Sequence, residues 1–117
     1  MRRLMILGPL TSLLATPVLA HHGWGSYDAN QPETIKGMIE QVQPNGPHAL
    51  IWLKVGAKSW EVVLAPPSRM ANRGLPTTEL KVGETVEIYG YPHRSRGDEI
   101  RAEWIRTTAS PNPIQLR

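Results

Sequence analysis

Residues 49–74 read ALIWLKVGAKSWEVVLAPPSRMANRG, and they contain the clearest secondary-structure signals of the chain. Apolar residues alternate over residues 49–55 and again over residues 60–64, which predicts two strands. The short connection between them, Gly56-Ala57-Lys58, makes the two strands a β-hairpin. The two prolines that follow are typical of the first turn of a helix, and Gly74 stands where such a helix would end. The stretch therefore predicts two paired strands followed by a helix of about two turns.

In the strand predicted before this stretch, the alternation of apolar residues shifts by one position. Ile35, Gly37 and Ile39 alternate, but Val42 is apolar one position out of step. A slip of this kind beside a glycine indicates a bulge in a sharply bent strand. Pro44-Asn45-Gly46-Pro47 is a turn sequence, so the bent strand should end before the hairpin begins.

Two more strands are predicted after the helix, over residues 85–91 and 99–106. In the last strand Trp104 falls in phase with Ile100, so we assign it to the core, as we assign Trp60 in the hairpin. Three strands, a short helix and two further strands is the order of an OB fold. We therefore predict an all-β, five-stranded OB-like Greek-key barrel. A generic open meander or a small sandwich is the alternative architecture.

The first twenty residues have the pattern of a cleaved signal peptide. Arg2 and Arg3 precede a short apolar run, and Val18-Leu19-Ala20 provides the small residues of a cleavage site. The run has about half the length that spans a bilayer, so we predict export to the periplasm or the exterior without a retained membrane span. The predicted organisation is a signal peptide over residues 1–20, an N-terminal arm over 21–33, the barrel over 34–108 and a flexible tail over 109–117.

Composition narrows the classes of function. The chain has no cysteine, which excludes a disulfide, a thiolate nucleophile and a thiolate metal site. The full chain has 13 basic and 10 acidic residues, and loss of Arg2 and Arg3 with the signal leaves 11 against 10. Because these charges are interleaved rather than gathered in a basic stripe, nucleic-acid binding is not expected. The sequence also lacks the motifs of serine hydrolases, phosphate-binding loops and zinc peptidases, so we do not expect an enzyme.

Several short motifs resemble a family of small exported bacterial proteins of unknown function. Members are similar in opening the mature chain with two histidines and an aromatic residue, as His21-His22-Gly23-Trp24 does here. They also carry Asn-Pro-His before the second strand, which Asn45 and Pro47-His48 match with Gly46 inserted. Further matches lie at Tyr27-Asp28, Asn72-Arg73-Gly74 and residues 80–84. The resemblance covers nearly the whole mature chain and implies its compartment and fold.

The four histidines are the candidate metal ligands. Cleavage after Ala20 would leave His21 as the first residue, and its α-amine and ring nitrogen can chelate one metal ion. His48 and His93 lie in the two loops that flank the binding face of an OB barrel, so both are further candidate ligands. His22 is an alternate ligand.

These nitrogen ligands lead to the first functional hypothesis. Amine and imidazole nitrogens favour Cu(II) over the other common divalent ions. The hypothesis is therefore a periplasmic accessory protein that binds copper through an N-terminal histidine chelate. His93, one of the candidate ligands, departs from the family that the chain resembles, because it is displaced by two positions from where relatives have His-Pro. The alternative is that four exposed histidines bind nothing specifically.

A second functional hypothesis needs no metal. Trp52 lies out of phase with the inward residues of its strand, which makes it the candidate surface for an envelope ligand or a partner protein. Trp24 and Tyr27 in the arm are additional candidates for this surface, although packing of the arm onto the barrel is the more ordinary role. Because the flanking glycines let the backbone approach closely, we predict that at least one of these two rings is buried against the barrel.

Overall fold

The computed structural model describes residues 23–117, which form six strands, one short α-helix and two 3₁₀ turns. The strands are β1 (Glu33–Gln43), β2 (Leu50–Val55), β3 (Lys58–Val63), β4 (Thr85–Pro92), β5 (Glu99–Arg106) and β6 (Ile114–Gln115). Helix α1 spans Pro67–Asn72, and the 3₁₀ turns span Trp24–Ser26 and Thr77–Glu79. The predicted signal peptide, with His21 and His22 of the arm, lies outside the described residues.

The strands form one sheet that closes on itself. Their order is β3-β2-β1-β4-β5-β6, with each neighbouring pair antiparallel. β3 also pairs with β5 in parallel, and this pairing closes the first five strands into a barrel. Helix α1 lies between β3 and β4 in the chain. The structure therefore confirms the predicted five-stranded, OB-like barrel.

β1 is long and bent because it pairs with β2 along one part and with β4 along another. Its register with β2 shifts between Ile39 and Gln41, which confirms the bulge predicted from the phase of Val42. At Gly37 a Cβ atom would collide with the backbone carbonyl of Lys54 on β2. Only glycine allows two strands to approach this closely, and the bend of β1 depends on it.

The barrel interior is filled by aliphatic side chains from every one of the first five strands. Met70 of α1 joins the same core together with Leu75 and Leu80, all three buried. Each buried side chain of this size contributes roughly 1.5–3 kcal/mol to stability. The largest fully buried strand residues are Ile39, Ile51, Leu53, Val62, Val86, Ile88, Ile100 and Ile105.

Trp104 is not a core residue, and its predicted place in the interior is wrong. The register between β4 and β5 shifts next to Gly90, so Ile105 rather than Trp104 follows Ala102 in the inward row. Trp104 instead stacks on Tyr89 on the outer face, with ring centroids 5.6 Å apart and planes 11° from parallel. Trp60 differs from it, because its partly buried ring packs against the core as predicted.

The C-terminal segment also differs from the flexible tail predicted over residues 109–117. Ile114–Gln115 pairs with β5 as β6, and Leu116 is only 2% exposed. Helix α1 and the residue that follows it hold this segment, since Arg69 and Arg73 donate hydrogen bonds to the carbonyl oxygens of Leu116 and Gln115, each at 3.3 Å. A strand of two residues shows no period in a sequence, and the neighbouring prolines are typical of a loop.

No helix among residues 23–117 has the length and apolar character needed to cross a bilayer.

Candidate functional site

A cleft of about 650 Å³ opens on the outer face of the barrel. The β1–β2 loop supplies its Pro47 and His48, and the β4–β5 loop supplies His93 and Arg96. Leu50 of β2 lies on its floor beside residues of β3 and β5, and the N-terminal arm forms one wall. OB folds bind ligands between these same two loops, on the face made by the second and third strands. The cleft therefore occupies the position at which this fold holds a ligand.

Tyr27 anchors the arm in the wall of the cleft. The residue is 3% exposed, and its backbone forms an antiparallel bridge with His93. Its phenol donates a hydrogen bond of 3.0 Å to Oε2 of Glu99. Burial raises the pKa of the Tyr27 phenol, and the hydrogen bond to Glu99 raises it further, so the phenol remains a donor at neutral pH. The prediction that an aromatic ring of the arm is buried against the barrel is confirmed.

Backbone hydrogen bonds hold the rest of the arm along the β4–β5 loop. The N–H of Asp28 donates to the carbonyl of Pro92 at 2.9 Å, and the N–H of Arg94 donates to the carbonyl of Ser26 at 2.9 Å. The Arg94 side chain adds a hydrogen bond of 3.1 Å from Nε to the carbonyl of Gly25. The arm is thus paired to the barrel much like a short extra strand, and the wall of the cleft has a defined position.

Glu61 and Glu99 stand side by side in the cleft because they are register partners in the parallel β3–β5 pair. Arg96 reaches both carboxylates, with Nη2 3.1 Å from Glu61 and Nη1 3.1 Å from Glu99. Burial raises the pKa of Glu61 and the neighbouring Glu99 charge raises it further, while Arg96 lowers it. The Glu99 side chain is 8% exposed. The cleft therefore offers carboxylate acceptors and one guanidinium donor to hydroxyl, amino or amide groups of a ligand.

His48 and His93 both line the cleft, as the position of their loops predicted. Nε2 of His48 lies 3.3 Å from Nη2 of Arg101, which makes it the acceptor of that contact. Nδ1 of His93 accepts hydrogen bonds of 3.1 Å from the backbone N–H groups of Ser95 and Arg96.

The described residues do not assemble a metal site by themselves. Within residues 23–117 no group of three or more histidines, aspartates or glutamates is arranged to hold a metal ion. The remaining nitrogen of His93, Nε2, lies 3.6 Å from the Glu99 carboxylate. His21 and His22 lie outside the described residues, so the N-terminal copper chelate stays a prediction.

Trp52 lies beside the cleft rather than within it. Its register partners are Gln41 on β1 and Glu61 on β3, and its half-buried ring is on the outer face as its phase predicted. Because Glu61 lines the cleft, Trp52 extends the same face past the edge of the cleft. Trp24 is half-buried on the other side of the arm, where its ring is 5.9 Å from that of Tyr91.

The sequence does not single out Glu61, Glu99 or Arg96 as site residues. The alternation of Val62 and Ile100 with their neighbours does place Glu61 and Glu99 on the outer face. Their proximity comes from the parallel pairing of β3 with β5, which no local pattern of the sequence reveals. The sequence pattern is therefore enough to assign each glutamate to the outer face of its strand, but it does not show that the two strands pair.

A protein-family model matches residues 10–101, and its description is "Family of unknown function (DUF6152)". The chain belongs to DUF6152. This agrees with the resemblance to a family of unknown function that the sequence motifs indicated. No curated protein matches the chain.

Solved structures with similar folds share little sequence with this member of DUF6152. The ZRD-deleted mutant of TiaS in complex with agmatine has a TM-score of 0.55 at 15% identity, over 74% of this chain and 26% of that one. The S. pombe Stn1–Ten1 complex has a TM-score of 0.55 at 16% identity, over 69% of this chain and 60% of that one. The chain thus spans less than two thirds of either neighbour, and the likeness supports the OB-like fold alone.

Proposed function

We propose that this DUF6152 protein is an exported binding module that takes a ligand or a segment of a partner protein in the cleft, without a metal ion. The observation that carries the proposal is the cleft itself, which lies between the β1–β2 and β4–β5 loops and is walled by a docked arm. Its volume of about 650 Å³ is within the usual range of ligand sites. The S. pombe neighbour was solved as a complex, which is consistent with a partner for a barrel of this kind.

The lining of the cleft fits a ligand with both apolar and hydrogen-bonding groups. Leu50 and Val63 are register partners on β2 and β3 and supply an apolar floor. The carboxylates of Glu61 and Glu99 supply acceptors at one end, and Trp52 offers a ring just outside. A few fixed polar groups around an apolar floor is the composition of binding sites that select orientation as well as shape.

Photo-crosslinking tests this proposal in cells that export the protein. We would place a photoreactive phenylalanine analogue at Leu50, on the floor of the cleft, and at Val82 as a matched control. Val82 is 65% exposed and lies outside the cleft. We expect a discrete crosslinked product from position 50 and none of the same mass from position 82. Identical products from both positions, or no product from position 50, would contradict binding in the cleft.

A further inference from the structure

A second feature lies outside the cleft, where arginines from different parts of the chain surround Trp24. The guanidinium of Arg101, on β5, lies 3.9 Å from the centroid of the Trp24 ring. The guanidinium of Arg117, at the end of the described chain, lies 4.6 Å from the same ring. Arg69 of α1 donates a hydrogen bond to the carbonyl of Leu116, the residue next to Arg117. One indole ring and one short segment therefore bring these three guanidiniums into the same region, and Arg73 lies beside them, donating a hydrogen bond of 3.4 Å to the carbonyl of Arg117.

The three guanidiniums are close enough to interact by their charges. Burial lowers the pKa of Arg101, and repulsion from Arg69 and Arg117 lowers it further, although the Tyr27 phenol acts in the opposite direction. Arg101 is 6% exposed, so its charge is screened by water less than a surface charge would be. The Glu103 carboxylate lies 3.9 Å from Arg117 and balances part of the charge. Three guanidiniums and one carboxylate leave the region electropositive.

The arrangement also leaves hydrogen-bond donors accessible. A guanidinium that stacks on an indole uses its flat face, and its N–H groups point outward in the plane of the group. Those N–H groups match the oxygens of phosphate or carboxylate in a two-point contact. Arg69 and Arg117 are exposed at the surface, so an anion in solution can reach them.

We propose that Arg69 and Arg117, beside Trp24 and the buried charge of Arg101, form a binding site for a phosphoryl oxyanion. A phosphoryl group is favoured over a single carboxylate because it accepts hydrogen bonds on several oxygens and carries up to two charges. A free phosphate compound and a lipid headgroup both carry this group, and the site recognises the chemistry that they share. His48 lines the cleft and contacts Arg101, so the two sites are neighbours. The anion site does not depend on the function proposed for the cleft.

Titration of the exported protein with inorganic phosphate and with pyrophosphate tests the site. The indole N–H resonance of Trp24 is the readout, with Trp60 as an internal control and ionic strength held constant with chloride. We expect a saturable shift of the Trp24 resonance alone. Arg69→Gln and Arg117→Gln should each weaken binding by about tenfold or more, the loss expected for one charge-assisted hydrogen bond. Lys81→Gln removes the same charge from a distant exposed position and should leave the affinity unchanged.

Two outcomes would overturn the anion site. One is a shift that does not saturate, and the other is an equal loss of affinity in Lys81→Gln and Arg117→Gln. Arg69 also holds Leu116, so the melting temperature of Arg69→Gln is measured, and Arg117→Gln decides the matter if the first variant unfolds. Co-sedimentation with phosphatidylglycerol vesicles, against phosphatidylcholine vesicles, then separates the sources. Vesicle binding that is lost in Arg117→Gln identifies a lipid headgroup, and phosphate binding without it identifies a soluble phosphate.

Discussion

Tyr27 joins the arm to both the β4–β5 loop and β5. Its ring lies 5.3 Å from that of His93, and its phenol reaches Glu99 at the beginning of β5. Glu99 also contacts Arg96, so the same carboxylate positions the arm wall and the loop wall of the cleft. A buried carboxylate needs such donors, because leaving it without them would cost more than the hydrogen bonds themselves contribute.

The variant Tyr27→Phe keeps the ring and removes this donor. We expect the free energy of unfolding to fall by about 1.5–3 kcal/mol, the contribution of a hydrogen bond to a charged group. Tyr91→Phe is the matched control, since the Tyr91 phenol donates to Glu103 in a more exposed setting and should cost less. Urea denaturation of both variants gives the comparison. A loss for Tyr27→Phe no larger than that for Tyr91→Phe would show that the Glu99 contact does not anchor the arm.

The copper hypothesis is also decided at single residues, because it requires His21 to carry a free α-amine. A chelate of amine and ring nitrogen is broken when His21 is replaced by alanine, which keeps the α-amine and removes the ring. If the first hypothesis holds, His21→Ala should lower the Cu(II) affinity of the processed protein by at least about tenfold, as expected for one lost ligand. Isothermal titration of the two forms measures this. Equal affinities would exclude the N-terminal chelate and leave the metal-free function of the cleft.

At the scale of elements, the sequence predicts what local periodicity can encode. The β2–β3 hairpin, helix α1 and the bulge of β1 follow from alternation, turn residues and a phase slip within about ten residues of one another. Trp104 is on the outer face because β5 has one extra residue, Glu103, opposite the step from Tyr89 to Gly90, and this bulge changes the phase of the strand. The β3–β5 pairing and β6 are not predicted from local patterns, since both are determined by contacts distant in sequence.

Substitutions in and beside β6 test whether this element, which the sequence does not predict, contributes to stability. Leu116 follows β6 directly and is buried, whereas Gln115 is exposed. We expect Leu116→Ala to lower the free energy of unfolding by about 2–5 kcal/mol, as large-to-small substitutions in a core do. Gln115→Ala should change it by less than about 0.5 kcal/mol. Thermal or urea unfolding of the pair measures both. A small effect of Leu116→Ala would mean that the segment is loose, as the sequence indicated.

At the scale of the whole molecule, closure of the barrel creates both candidate sites. The β3–β5 pairing brings Glu61 beside Glu99 in the cleft and puts Arg101 next in line on the same outer face. The arm then covers this line, with Tyr27 over Glu99 and Trp24 over Arg101. The acidic pair and the arginine cluster are therefore neighbours on one surface, although their residues come from separate elements. Local sequence patterns place these residues on the outer face, but they do not show which strands and which part of the arm come together there.

The contribution of Trp52 tests whether the cleft and the adjoining face act together in binding. Its ring lies next to Glu61 outside the core, so its removal should affect a bound molecule more than the fold. We expect Trp52→Ala to reduce crosslinking from position 50 by severalfold, because truncation of an aromatic residue that contacts a partner commonly costs more than about 1 kcal/mol. The melting temperature should change little. Trp60→Ala is the matched control, since that ring packs against the core and its loss should lower stability. A large drop in melting temperature for Trp52→Ala would assign Trp52 to the packing of the barrel, and unchanged crosslinking would confine binding to the cleft.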